Sequence, residues 1–464
     1  MAGIGFELKK AFAKKGVLNL FKAYAMSGVV VTGPMFLSIS LLAGLRLIFD
    51  HAGVTMTPER LMMNGLITYT TLFSVVWVNS FALVVVRYVA DVLYTEEYEK
   101  VMPSFFGSVT MLLGTGEILY GVFLYFMRIP LYAAVPALIL FGIYVIVWMQ
   151  INYLSAIKNY MGILLAFFAA VICGLIAGWA IVKVFGGDLS YAVMLAVIIA
   201  YGILSVCYHV LLSGFFPRGK GSAFAFLKHL EKHRELVITG ICLQVALYGH
   251  IVIMWFSPAG QTVAGGLRQC ALYDMPAMLA FLTCIITIIN ITTSLEVNFY
   301  PYYFRYIRLI NGGGSITELK KAERLMKRTL FDEIFYCLIK QFFVTLICIV
   351  FGSLILNAVL PGITPEMTGI FRVLCVGYAL YASGYALLLV LMYFDYRLVY
   401  VSLLLYAVST TVLGIRCAIG DARFYGAGFV IGGMVFLVAT FTALYSHLRD
   451  ILLHLFVGQQ MVKE

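Results

Sequence analysis

Between residues 24 and 446 the sequence repeatedly runs for roughly 20 residues or more with hardly a charge, and each run is closed by a short polar break. A helix rising about 1.5 Å per residue needs about 20 apolar residues to cross a hydrocarbon core roughly 30 Å thick. The runs therefore predict transmembrane helices at 24–48, 62–86, 104–127, 131–154, 161–184, 190–213, 236–256, 276–298, 334–358, 369–393, 396–415 and 424–446. A transmembrane barrel would show short alternating segments instead. With 62% hydrophobic and 12% charged residues and a mean hydropathy of +0.98, a soluble globular domain is excluded. The expected fold class is all-α, a polytopic membrane protein with about twelve transmembrane helices.

An even number of spans puts both termini on one side, and charge says which. With the N-terminus inside, 23 Lys and Arg fall on the cytoplasmic side and 8 opposite, with Lys340 inside a span. One missed span would invert every later loop, so this bias supports both the count and the orientation. It also accounts for the net charge of +10 without nucleic acid as a partner. Residues 1–22 place Ile4, Leu8, Ala11 and Leu18 on one face and Lys9, Lys10, Lys14, Lys15 and Lys22 off it. This pattern predicts an amphipathic helix lying on the cytoplasmic surface, retained rather than cleaved.

The longest polar breaks are 215–235 and 299–333, and the first divides the spans six and six. Phe226, Leu227, Lys228 and Lys232 introduce the second half much as residues 1–22 introduce the first. Two six-helix lobes follow, the kind of repeat from which transporters are built. The expected domains are 1–22 interfacial helix, 23–214 first lobe, 215–235 cytoplasmic linker, 236–446 second lobe and 447–464 cytoplasmic tail. The break at 299–333, with Gly312, Gly313 and Gly314 followed by Glu318 to Arg328, reads as a cytoplasmic loop with a short helix.

Little in the chain suggests chemistry. Seven of nine cysteines lie in apolar runs and no CxxC occurs, so they read as small buried hydrophobes. HExxH and GxSxG are absent, and His229 and His233 sit in a charged loop. No metal, no cofactor and no enzymatic activity are expected.

Polar groups at membrane depth are the candidates for function, because each costs roughly 2.5–3.5 kcal/mol if charged and left facing lipid. Glu117 is near the middle of its span, with Tyr120 one turn on. Tyr378, Tyr381 and Tyr385 recur at i, i+3 and i+7 in the centre of another. These five are expected to line a substrate path between the lobes, where rings would stack on sugar C–H faces; packing within a lobe is the plainer alternative. Span 8 gathers Thr283, Thr287, Asn290, Thr293, Ser294 and Glu296, and span 2 gathers Asn64, Thr68, Thr71, Ser74 and Asn79. Of these, Asn79, Asn290 and Glu296 are expected to line a wet surface, though Ser and Thr also mediate helix packing. Arg87 and Asp91, one turn apart at the end of span 2, are expected to pair as a structural or gating unit, or else to anchor topology alone. Lys340 is left unassigned. Gly174-x-x-x-Gly178 and Gly428-x-x-x-Gly432 are close-packing motifs.

The opening Gly3-Ile4-Gly5-Phe6-Glu7-Leu8-Lys9-Lys10, Ala23-Tyr24, Gly33-Pro34 and Arg87-Tyr88-Val89-Ala90-Asp91-Val92-Leu93-Tyr94 resemble the PelG family of Pel exopolysaccharide transporters. Glu296, Phe299, Tyr300, Tyr303, Tyr306, Gly312 and Gly313 resemble it more loosely. The resemblance implies membership of the multidrug, oligosaccharidyl-lipid and polysaccharide flippase superfamily, with two six-helix lobes around a central cavity. It implies export of an amino-sugar polymer across the inner membrane in support of a biofilm. The partners it implies are PelD and PelE in the membrane and a cytoplasmic glycosyltransferase, besides membrane lipids. A cation-coupled multidrug exporter of the same superfamily and a non-transporting scaffold for a polysaccharide synthase are the competing readings.

Overall fold

The computed structural model describes residues 39–53, 57–155, 160–185, 191–217, 219, 221–359, 362–449 and 451. The interfacial helix expected at 1–22, most of the span expected at 24–48 and the tail from 452 lie outside them. Helix α1 occupies 39–51. It is followed by α2 (Pro58–Tyr94), α3 (Val101–Phe126), α4 (Leu131–Leu154), α5 (Tyr160–Phe185) and α6 (Ala192–Phe215). A short linker helix α7 (Phe226–Lys232) leads into α8 (Arg234–Trp255) and a hairpin of β1 (Gln261–Ala264) and β2 (Leu267–Gln269). The second half continues with α9 (Ala271–Ser294), α10 (Tyr300–Asn311), α11 (Ile316–Val350), α12 (Gly352–Val359), α13 (Pro365–Tyr393), α14 (Val399–Ala418) and α15 (Ala427–Arg449).

Eleven helices among the described residues are long and apolar enough to cross a membrane. That agrees with the about twelve the sequence predicts, and α1 covers the described end of the first expected span. The hydrophobic pattern forms helices because every backbone donor and acceptor must be satisfied within its own segment in lipid. Caps fix several starts. Thr57 and Thr364 side chains each accept a backbone N–H ahead of a proline in the first turn, and Ser315 and Glu318 close a reciprocal capping box on α11.

The two halves repeat one packing scheme. In the first, α5 packs on α6, α6 on α4 and α4 on α2; in the second, α14 packs on α15, α15 on α13 and α13 on α9. Leu41 and Leu45 of α1 rest on Gly174 and Gly178 of α5, and correspondingly Ile253 of α8 rests on Gly414 of α14. Gly428 meets the α14 backbone at Gly414. The small-residue motifs thus serve close helix approach within each lobe.

The lobes meet chiefly along α2 and α8. A Cβ placed on Gly240 of α8 would lie 2.6 Å from the Ser80 carbonyl oxygen and 2.9 Å from that of Asn79 on α2. Backbone cannot yield as a side-chain tip can. Gly240→Val is therefore expected to push the lobes apart, costing about 1–3 kcal/mol or more and lowering the melting temperature in detergent. Thermal unfolding monitored by size-exclusion fluorescence checks this, and an unchanged transition would refute the contact.

The break at 299–333 differs from the expected loop. Ala271–Asn311 is one continuous helical rod of 41 residues, and α11 begins at Ile316, so the connection is only a turn at Gly312–Ser315. At about 1.5 Å per residue the rod far exceeds a bilayer core, and α10 with the start of α11 projects beyond it as a helical pair. The charges misled the sequence reading here, because an amphipathic helix packed on a partner carries as many of them as a loop does. A π-helical turn, Leu295–Phe299, joins α9 to α10 just before Pro301, whose missing N–H and bulky ring favour a widened turn there. The β-hairpin was not anticipated.

Candidate functional site: the seam between the lobes

One end of the bundle carries the linker and the α10–α11 turn and is rich in Lys and Arg; the other carries the hairpin. At the basic end, Arg87 of α2 reaches across the seam and donates from Nη1 to Asp395 Oδ1 at 3.0 Å. Its Nε also lies 3.4 Å from Asp91 Oδ1, one turn on. The second Asp91 oxygen faces Nε2 of His229 on the linker helix at 3.3 Å, and the Tyr88 ring meets the His229 ring edge to face. Four charged or chargeable groups thus tie the first lobe, the linker and the α13–α14 turn together. Asp395 holds its place in that turn at φ 55°, a left-handed conformation that Asp tolerates better than most side chains. The linker is drawn close as well, since Gly107 of α3 leaves no room for a Cβ beneath the Ala223 carbonyl.

At the opposite end the hairpin grips the first lobe through its backbone. The Tyr69 hydroxyl of α2 donates to the Arg268 carbonyl at 2.7 Å and accepts from the Arg268 N–H at 3.1 Å. Gly266 N–H donates to the Met127 carbonyl at 2.9 Å, at the α3–α4 turn. The hairpin is held rigid from its own side. Arg268 Nη2 donates to the Gly260 and Ser257 carbonyls, and the Asp274 carboxylate takes both Trp255 Nε1–H and Cys270 N–H. The Trp255 ring packs on Tyr69 with centroids 4.5 Å apart. The seam is therefore fastened at both ends.

The expected path residues lie in two separate groups. Glu117 is half-buried on α3 against Gly142 of α4, just before Ile118 and Leu119, which face outward. Tyr120 is fully buried inside the first lobe, hydrogen-bonded to Thr70 at 2.6 Å and stacked on Phe141. Tyr378 is buried in the second lobe among His250, Phe281 and Phe429, with its hydroxyl 3.4 Å from His250 Nε2. His250 Nδ1 in turn meets the Tyr273 hydroxyl at 2.7 Å. Tyr381 stacks on Tyr385 and Tyr406 in the same lobe. The structure does not bring the pair on α3 together with the three tyrosines on α13.

The polar stripe of α9 faces α11. Thr287 donates to Gln341, Asn290 Oδ1 accepts from Lys340 Nζ at 3.1 Å, and Ser294 and Asn298 both donate to Glu333. Lys340 thus has a partner within the bundle and also stands 4.0 Å over the Tyr336 ring. Asn79 is half-buried at the α2–α8 approach. Glu296, on the π turn, is buried yet accepts no hydrogen bond among the described residues. A surface hollow lined by Glu96, Glu97, Tyr98, Glu99, Lys100 and Pro217 lies where the α2–α3 connection meets the start of the linker.

The family described as "PelG: Putative exopolysaccharide Exporter (EPS-E)" is matched over residues 1–456. The chain belongs to the PelG family. No functionally curated protein shows significant sequence similarity to it. Among solved structures it is similar to the eukaryotic MATE transporter AtDTX14, with a TM-score of 0.62 at 12% identity, covering 93% of this chain and 98% of that one. It is also similar to an outward-facing multidrug resistance MATE transporter of the MOP superfamily, with a TM-score of 0.56 at 12% identity, covering 91% and 96%. At such identity the likeness is one of fold, and it agrees with the repeated lobes described above. The PelG chain is thus a multi-pass membrane transporter. Sequence reasoning found Arg87 and Asp91 but missed Asp395, His229 and the hairpin, whose partners lie up to 308 residues away.

Proposed function

We propose that the chain carries an exopolysaccharide, a Pel-like amino-sugar polymer, across the cytoplasmic membrane between its two lobes, for a biofilm matrix. The match of nearly the whole chain to an exopolysaccharide exporter family is the observation that carries this reading. In this reading the basic end and both termini face the cytoplasm, where a glycosyltransferase delivers polymer and membrane partners like PelD and PelE assemble around the exporter. The Arg87–Asp395 contact closes the cytoplasmic end of the seam, the hairpin closes the outer end, and the two open in turn. The buried tyrosines stiffen the lobes that rock against each other.

Two measurements test it. Cells deleted for the chain should lose extracellular polymer and regain it on complementation, while cytoplasmic synthase activity persists in membranes; loss of that activity instead would favour the scaffold. A cysteine at Lys228, exposed on the linker, should be shielded from a membrane-impermeant maleimide in intact spheroplasts, and one at Gln261 on the hairpin should react. The reverse pattern would overturn the orientation.

A further inference from the structure

The π turn places a carboxylate where no described residue donates a hydrogen bond to it. Glu296 is 6% exposed and accepts no hydrogen bond from any described residue. A buried acceptor left without a donor is costly, and α-helices widened to a π turn recur at functional positions. Beside it stands a cluster of rings. Tyr393 packs against Phe299 at 5.6 Å, Tyr303 at 5.0 Å and Tyr300 at 6.4 Å, and Phe394 closes the group against Phe299 and Tyr303. Glu296 shares its π turn with Phe299, the ring on which Tyr393 packs. Tyr300, Tyr303 and Tyr393 are only half-buried, and none of their hydroxyls is bonded within the described protein. The cluster continues directly into Asp395, the partner of Arg87 across the seam.

The chemistry of these groups selects a ligand. Partly open aromatic faces suit a flat patch of C–H groups, and the free carboxylate and phenols suit O–H and N–H groups on its rim. A pyranose ring carries both. An apolar drug would leave the carboxylate unpaired, and a single carboxylate without further oxygen ligands is a poor cage for a metal ion.

We propose that Glu296, Tyr300, Tyr303 and Tyr393 form a pyranose-binding subsite at the cytoplasmic mouth of the path, next to the Arg87–Asp395 contact. This rests on the exporter reading and assigns its first sugar contact to the second lobe. Occupancy there would sit two residues from Asp395, so a sugar entering the subsite is placed to loosen that contact.

The test uses the purified full chain in detergent and an N-acetylgalactosamine tetrasaccharide, with binding followed by titration calorimetry. Glu296→Ala and Tyr393→Ala should each weaken binding by about tenfold or more, while Tyr393→Phe, which keeps the ring, should lose only about two- to threefold. Each variant is first shown to elute as a monodisperse peak; Tyr393→Phe and Glu296→Gln serve where an alanine does not fold. Wild-type affinity in both Glu296→Ala and Tyr393→Ala would overturn the subsite. So would loss of export in Glu296→Gln with binding untouched in every variant, the pattern of a proton site. Export by the intact chain is read in parallel. Export without any effect of these variants on binding rejects the subsite alone, whereas a wild-type chain that moves no polymer rejects the exporter reading beneath it.

Discussion

Arg87→Asp should cut extracellular polymer to near background, and adding Asp395→Arg should bring a substantial part of it back. Arg87 stands between two carboxylates, 3.0 Å from Asp395 and 3.4 Å from Asp91. All three side chains are partly exposed, so each ion pair by itself contributes at most about 1 kcal/mol and is screened by salt. Reversal does more than remove them. It sets three carboxylates around one point, turning two attractions into two repulsions across the contact that the proposed cycle makes and breaks. A change of about 2–3 kcal/mol shifts a closed-to-open equilibrium by roughly 30- to 150-fold, enough to leave the seam unlatched. The double variant restores the pair across the seam with its polarity reversed, but keeps the new repulsion toward Asp91, so recovery should be partial. Arg87→Asp with Asp91→Arg should recover less, because it restores the pair within α2, leaves Asp395 facing a like charge and takes His229 from its partner. Quantified lectin staining of the matrix distinguishes these outcomes. Equal recovery in both doubles would mean that the pair acts within α2 and that Asp395 is incidental.

The contrast between Asp91 and Asp395 shows what the sequence could and could not disclose. A spacing of four on a helix names Asp91 at once, because i and i+4 share a face. Asp395 is invisible to any spacing rule, being set opposite Arg87 only by the docking of two lobes. The span count, the alternation of ends and the two-lobe plan were legible for a physical reason: lipid imposes length and apolarity on every crossing, and a charge imbalance must follow its parity. Burial of the tyrosines on α13 was legible too. Which burial it was could not be read, since i, i+3 and i+7 mark one helix face without saying whether that face looks into its own lobe or into a path. The structure packs Tyr378 and Tyr381 against His250, Phe429 and Tyr406 of their own lobe. Likewise the polar stripe of span 8 announced a partner, and the partner is α11, with Gln341, Lys340 and Glu333. Thr293 and Glu296 of that stripe find no hydrogen-bond partner among the described residues. The hairpin did leave a signal, Gly265-Gly266 between Val263 and Leu267, but it is short and sits in a polar connection between two long apolar runs.

A disulfide across the hairpin end should stop export altogether and release it on reduction. The Met127 carbonyl accepts the Gly266 N–H at 2.9 Å, and a Cβ built on Gly266 lies 3.4 Å from Met127 Cα and 2.7 Å from its Sδ. Met127→Cys removes the one atom that crowds the new side chain. Gly266→Cys needs no unusual backbone, since the left-handed position of the turn belongs to Gly265. The two residues are then near the separation a disulfide requires, with Cβ atoms about 3.5–4.5 Å apart. Such a bond joins the α3–α4 turn of the first lobe to the α8–α9 connection of the second. If transport requires that end of the seam to part, the oxidised double variant should fall to background export, and dithiothreitol should return it to within about twofold of the unmodified chain, since the bond is then a removable tether. Each single-cysteine variant should export under both conditions, which controls for the native Cys270 nearby, buried at 1% exposure. Cross-linking is scored by the mobility of a fragment after cleavage between the lobes. A fully cross-linked chain that exports at the normal rate would show that the hairpin rides with the first lobe throughout the cycle, and that the polymer leaves by a route the α2–α8 seam does not gate.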